Sequence, residues 1–247
     1  MATQAIPTWN NTHRLFVQAL MSHRMLTEDQ GLGIYRDICE MTEVTPMDDF
    51  SEFLGIVGHR LHDIDMTIKR TQHQLTGVTL LALVNTNADD IAQMATAHDV
   101  NEIHYFRTLI SKIVTADNDS YSIRSIAALQ LGQREMKPPM SQNTTESLLE
   151  QFVKEGWLEE VDGQYILSAR TLMELGGYLA DEYPEEINEC IVCQHVITAG
   201  ERCKNLDCQV RMHRHCSEQR FVRNRVVMKC PTCSTAWLRS NTFGAGL

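Results

Sequence analysis

Apolar residues recur at helical spacing at Leu15, Phe16, Leu20, Met21 and Met25, behind the polar Asn10-Asn11-Thr12. This pattern predicts a first helix near residues 12–25 that turns one face to a core. Thr27-Glu28-Asp29-Gln30 reads as a capping box, whose hydroxyl and amide satisfy orphan backbone donors, and it opens a second helix through Leu32, Tyr35 and Ile38. Gly31-Leu32-Gly33 then lies inside a helix and not in a phosphate-cradling loop. Pro46 suits the first turn of a third helix, with Phe50, Phe53, Leu54, Val57 and Leu61 along one stripe. From Ile64 the period falls to two, through Met66 and Ile68, and a second β-rich run spans Leu75 to Val84.

Three helices followed by a hairpin make a winged-helix unit, assigned to residues 1–86. A similar order returns over 87–186. A helical pattern runs through Val100, Ile103, Phe106, Leu109 and Ile113, and a short segment follows near Ser125 to Leu131. Asn143-Thr144-Thr145-Glu146 reads as another capping box before Leu148, Leu149, Phe152 and Val153. Trp157 to Val161 and Gln164 to Leu167 flank Asp162-Gly163, a dipeptide suited to a tight hairpin turn, and so form a second wing. A last helix from Ser168 through Leu172, Leu175 and Leu179 should stop at Tyr183-Pro184, because the residue before proline avoids helical geometry.

Charge changes the picture. Residues 1–187 carry 13 Lys and Arg against 28 Asp and Glu, whereas residues 188–247 carry 9 against 4. An acidic body disfavours phosphate contacts, so protein contact is the favoured use of the winged helices and DNA is touched only indirectly or weakly. No apolar run approaches the length of a membrane span, and the opening MATQAIPTWNNTHRLF has no basic-then-apolar pattern, so a soluble intracellular protein with no membrane contact is expected. His59 and His62 have no third ligand nearby in sequence and read as ordinary histidines.

Seven of the 8 cysteines fall between Cys190 and Cys233, in the string Cys190-x2-Cys193-x9-Cys203-x4-Cys208-x4-His213-x2-Cys216-x13-Cys230-x2-Cys233. Two-residue spacing lets both side chains of one turn point at the same ion, and eight soft donors serve two tetrahedral zinc ions. His213 has the knuckle-like gap to Cys216; His215 adjoins that cysteine and points elsewhere. The long loop between pairs suggests a cross-brace, with Cys190, Cys193, His213 and Cys216 holding one ion and Cys203, Cys208, Cys230 and Cys233 the other; sequential pairing is the alternative. So small a segment, placed at 187–238, lacks the apolar area to fold alone, which couples its folding to metal. Residues 239–247 are expected to form a flexible tail.

This order of four cysteines, one histidine and three cysteines, with Arg211-Met212-His213, Cys230-Pro231-Thr232-Cys233 and the stretch from Leu148 to Leu158, resembles the variant RING subunits called non-SMC element 1. The resemblance covers nearly the whole chain. It implies a fold that is mainly α with small β wings: tandem winged helices followed by a C-terminal variant RING. It also implies a nuclear, chromosome-associated subunit of the complex built on structural-maintenance-of-chromosomes proteins 5 and 6, acting in DNA repair. Implied partners are a MAGE-type subunit bound through the winged-helix body, a kleisin-type subunit and a ubiquitin-conjugating enzyme. Ubiquitin-ligase activity, promoted by the MAGE-type partner, is implied as well.

With every cysteine of the module used as a ligand and Cys39 in a helical pattern, no covalent nucleophile is available and catalysis rests on positioning. By the RING resemblance Ile191, Val192, Phe221 and Pro231 form the docking surface for the conjugating enzyme; packing inside the module is the alternative for Ile191. Two departures weaken intrinsic activity: Phe221 stands where many active RINGs have tryptophan, and Ser234 where they have a basic residue. A non-catalytic scaffold holding the MAGE-type and kleisin-type subunits is the competing reading. A histone-tail reader shares the ligand order, but Met228 stands where such fingers carry an aromatic residue.

Overall fold

The computed structural model describes residues 9–86, 98–223 and 225–246. The chain divides into two compact units, one of residues 1–71 and 78–88, the other of 72–77 and 89–247. The expected start of the second winged helix, residue 87, lies outside the described residues.

In the first unit α1 (Asn11–His23) is capped by Asn10, whose side chain accepts from the His13 backbone N–H. It ends two residues before the predicted boundary because Arg24 takes a left-handed φ of 62°, and Met25 leaves in an extended direction. The result is a three-residue strand, β1 (Met25–Thr27), too short to leave a periodic signal. Thr27 and Gln30 form the predicted capping box of α2 (Glu28–Met41), with reciprocal bonds of 2.9 and 3.2 Å. Gly31 and Gly33 lie within α2, and Cys39 is buried in the core. α3 (Phe50–Leu61) starts later than predicted. Asp49 caps it by accepting from the Ser51 N–H at 2.8 Å, and Pro46 lies upstream in irregular chain, where the Tyr35 hydroxyl accepts from the Met47 N–H. β2 (Met66–Gln72) and β3 (Thr79–Asn85) follow, and the sheet order is β1-β3-β2. Ile64 falls outside β2, in an exposed 3-10 turn. Phe16, Tyr35 and Phe53 pack together at the centre with ring centroids 4.1 to 6.4 Å apart, Phe16 set edge-on to the other two.

The second unit repeats the order with α4 (Val100–Val114), β4 (Ile123–Arg124), α5 (Ser125–Arg134), α6 (Gln142–Lys154), β5 (Leu158–Val161) and β6 (Gln164–Leu167). Its sheet runs β4-β6-β5, and Asp162 and Gly163 both take the positive φ the turn requires. The cap of α6 is Ser141, not Asn143: its hydroxyl accepts from the Thr144 N–H, and Asn143 is already helical. That choice leaves Thr145 fully buried against Gly132 of α5. The predicted last helix is two, α7 (Ala169–Glu174) and α8 (Gly176–Glu182), broken at Leu175 before the Gly176-Gly177 pair; α8 ends at Tyr183-Pro184 as expected. Phe106, Leu109, Ile113, Leu149, Phe152 and Trp157 build the core. His98 is buried between two carboxylates, its ring nitrogens 3.1 Å from Glu102 and 2.7 Å from Glu155. Among the described residues no helix is long and apolar enough to cross a membrane.

A methyl group at Gly132 would lie 2.3 Å from the Thr145 hydroxyl, whereas one at Gly55 on α3 would meet nothing within 4 Å. Gly132→Ala is therefore expected to destabilise by about 1–3 kcal/mol through overpacking. Gly55→Ala should stabilise by up to about 1 kcal/mol through helix propensity. Denaturant titrations of the two variants check both signs.

Candidate metal centre

Residues 188–246 form small strands around two turns that begin with Cys-x2-Cys. β7 (Asn188–Glu189) and β8 (Val196–Ile197) pair on either side of the first turn, in which Cys190 N–H donates to His195 and Gln194 N–H to Cys190. The second turn repeats these bonds, from Cys230 to Thr235 and from Ser234 to Cys230. Gln194 and Ser234, each the residue after the second cysteine, take left-handed φ values of 59° and 60°. That twist turns both thiols of a knuckle to one side.

Cys203 and Cys208 lie in the loop between β9 (Gly200–Arg202) and β10 (Arg211–Met212). His213 opens the short helix α9 (Arg214–Glu218), which carries Cys216. The fold draws these pairs into two groups, Cys190, Cys193, His213 and Cys216 in one and Cys203, Cys208, Cys230 and Cys233 in the other. Within each group all four donor atoms lie within 4.8 Å of one another. This interleaved arrangement is the cross-brace, and sequential pairing is not formed. Cys203 and Cys233 sulfurs are 3.4 Å apart, Cys208 and Cys230 3.6 Å, and His213 Nδ1 is 3.3 Å from Cys193 Sγ. A tetrahedron with zinc–sulfur bonds of about 2.3 Å has edges of about 3.8 Å, so the spacing fits a tetrahedral ion. His215 stacks on His213 at 4.9 Å and stays outside the group. Burial, with His213 beside it, pushes His215 down to about 4.

Crowded thiols cannot all ionise without a cation. Hydrogen bonds from Cys193 and Cys216 hold Cys190 far below the ordinary thiol range, while the bonds it accepts hold Cys216 far above it. In the second group the Thr235 hydroxyl lowers Cys233 to about 6, and burial pushes Cys203 up to about 12. In each group one thiol is thus held below the ordinary range and another above it; a bound dication would remove that conflict by favouring every thiolate.

Of the residues assigned to docking, Ile191 and Val192 stand in the first knuckle at 46% and 37% exposure, and Pro231 is exposed in the second. Phe221 does not join them. It is buried with its ring 5.9 Å from that of Trp237, because the module has few other apolar side chains to close its core. Beneath α9 the fully buried Glu201 accepts from the Ser217 hydroxyl, Trp237 Nε1 and Arg239 Nε.

Sequence reasoning missed the residues that seat the module. Asp119 accepts from Arg202 at 2.9 Å and from the largely buried Arg211 at 2.8 Å, and the Tyr121 hydroxyl donates to the Glu186 carbonyl. Burial pushes Tyr121 above the ordinary phenol range. Arg211 also reaches Asn188 and lies over the Phe243 ring. The expected flexible tail instead forms β11 (Thr242–Phe243), which pairs with β9, and Gly244 and Ala245 donate to Asp119 and Ser120 carbonyls. Gln74, in the 72–77 segment, accepts from the Thr198 and Ala199 N–H groups.

A family model described as the Nse1 non-SMC component of the SMC5-6 complex matches residues 13–175, and a RING-like domain model matches 190–233. The chain belongs to the Nse1 family. A Xenopus laevis relative named non-structural maintenance of chromosomes element 1 homolog is 32% identical over 229 residues, 92% of this chain and 83% of its own. The Nse1-family protein of Schizosaccharomyces pombe is 30% identical, over 78% of this chain and 79% of its own. A solved chain titled Nse1-Nse3-Nse4 complex superposes with a TM-score of 0.81 at 32% identity, covering 93% of this chain and 97% of that one. Membership of this family agrees with a RING-like module that follows a helical body.

Removing the Asp119 carboxylate strips both arginines of a shared acceptor, one of them buried. Asp119→Ala is expected to cost on the order of 1–3 kcal/mol and to raise amide exchange in β10 and β11; unchanged exchange there would show that Asp119 does not seat the module.

Proposed function

We propose that this protein is a RING-type ubiquitin ligase subunit of the nuclear, chromosome-associated SMC5-6 complex, acting in DNA repair, with two zinc ions holding its module. The observation that carries the reading is the exposure of Ile191, Val192 and Pro231 on the two knuckles while every cysteine of the module is committed to a four-donor group. Cys39 is buried in α2 and out of reach of any thioester. The chain thus has no nucleophile to carry ubiquitin and acts by orientation. Docked on the knuckles, a charged conjugating enzyme presents its thioester to a substrate lysine; the amine attacks the carbonyl and the enzyme's thiolate leaves.

The solved Nse1-Nse3-Nse4 complex supports a MAGE-type and a kleisin-type subunit as partners, the first held by the helical body and promoting activity. Exposed Glu146 and Glu150 on α6 repel phosphate, which supports indirect or weak DNA contact. The second reading, a non-catalytic scaffold for those two subunits, draws on one observation: Phe221 is buried, so the docking surface lacks the aromatic residue that many active RINGs present.

Two experiments test the proposal. Elemental analysis should find two zinc ions per chain, a loss of one in His213→Ala and no loss in His215→Ala; equal loss in both variants would assign the ligand wrongly. Ubiquitin discharge from a charged conjugating enzyme onto lysine, with the MAGE-type partner present, should fall about tenfold or more in Val192→Asp, the factor that corresponds to about 1.4 kcal/mol of docking. Discharge that is absent in the zinc-loaded wild type across a panel of conjugating enzymes makes the scaffold the better reading.

A further inference from the structure

The last part of the chain carries a surface that neither the metal groups nor the docking knuckles use. From Gln219 to the C-terminus there are five cations, Arg220, Arg223, Arg225, Lys229 and Arg239, and no Asp or Glu. Arg239 is spent on the buried Glu201. Arg223, Arg225 and Lys229 are exposed and form no ion pair among the described residues.

Apolar side chains lie between these charges. Arg225 takes a left-handed φ of 52°, and the chain beyond it runs back alongside residues 235–238. Lys229 bridges Ala236, and Trp237 N–H donates to the Met228 carbonyl at 3.0 Å. That pairing lays out Val226, Val227 and Met228 beside Leu238, all exposed, with Val227 at 68%. Unpaired cations and bare aliphatic groups in one short hairpin satisfy nothing within the described part of the chain.

We infer that this hairpin is a docking surface for an acidic segment of a protein partner, one that places apolar side chains on Val227, Met228 and Leu238 and carboxylates on Arg223, Arg225 and Lys229. The charge is complementary to carboxylate and to phosphate alike, and the apolar residues decide between them. Valine and methionine add nothing at a phosphate backbone. Base stacking needs exposed aromatic rings, whereas Phe221 and Trp237 are both buried here. A peptide with alternating acidic and apolar residues uses both halves of the surface.

The test uses the zinc-loaded full chain and fluorescence anisotropy with four probes: a short peptide alternating glutamate and leucine, its glutamine-for-glutamate and serine-for-leucine analogues, and a duplex DNA. The glutamate–leucine peptide should bind, and each analogue should bind about tenfold more weakly. Arg225→Glu with Lys229→Glu should weaken it about tenfold, and Val227→Ser with Met228→Ser by a similar factor. Each variant is first shown to retain the zinc content of the wild type. Absence of binding, equal binding of the three peptides, or insensitivity to either double variant overturns the inference. Tighter binding of DNA than of the peptide assigns the surface to nucleic acid instead. Self-association on sedimentation that the charge reversal abolishes assigns it to the acidic body of a second copy.

Discussion

Four soft donors held within 4.8 Å of one another, twice over, set the terms for everything after residue 187. Thiols at that distance hold one another's protons, and thiolates repel; only a cation lets all four donors keep the geometry. The strands of the module are two or three residues long, and its buried apolar residues are few. Local pairing and hydrophobic burial are thin here, and a bound cation would add to both. The helical body is built the other way, from stacked rings and aliphatic stripes that need no ion.

The join between these two kinds of stability is electrostatic. Asp119 stands in a loop of left-handed residues beyond α4 and collects two arginines from neighbouring strands of the module. Arg211 lies two residues before His213 of the first donor group, and β11 closes the sheet from the other side through Phe243, beneath the Arg211 guanidinium. A module seated in this way offers its knuckles as a fixed surface, which suits a role in which orientation is the whole of the chemistry. The basic hairpin beyond α9 adds a second face whose charge is opposite to that of the body.

Much of the fold was legible along the chain because the signals were local. The Thr27 capping box, the Asp162-Gly163 turn and the stop at Tyr183-Pro184 each follow from a few neighbouring residues, and each is present. The misplaced features depend on longer-range contacts. Pro46 is compatible with a helix start, but Asp49 supplies the cap. Asn143 resembles a cap, yet starting α6 from Ser141 buries Thr145 against Gly132. The strand β1 is three residues long and exists because β3 pairs with it.

The eight donors and the helical stripes were readable along the chain, since knuckle spacing and periodicity are both local properties. The folded structure brought the donors into the interleaved grouping that the long loop between pairs had suggested, because β9, β10 and α9 fold back between the two knuckles. Tertiary structure alone decided that Phe221 turns inward: a position in a motif gives a residue's place along the chain, while the scarcity of other apolar groups in a small core gives its direction. Asp119 and the C-terminal strand carried no signal at all. Their roles are contacts with residues tens to more than a hundred positions away, and no window along the chain contains both partners.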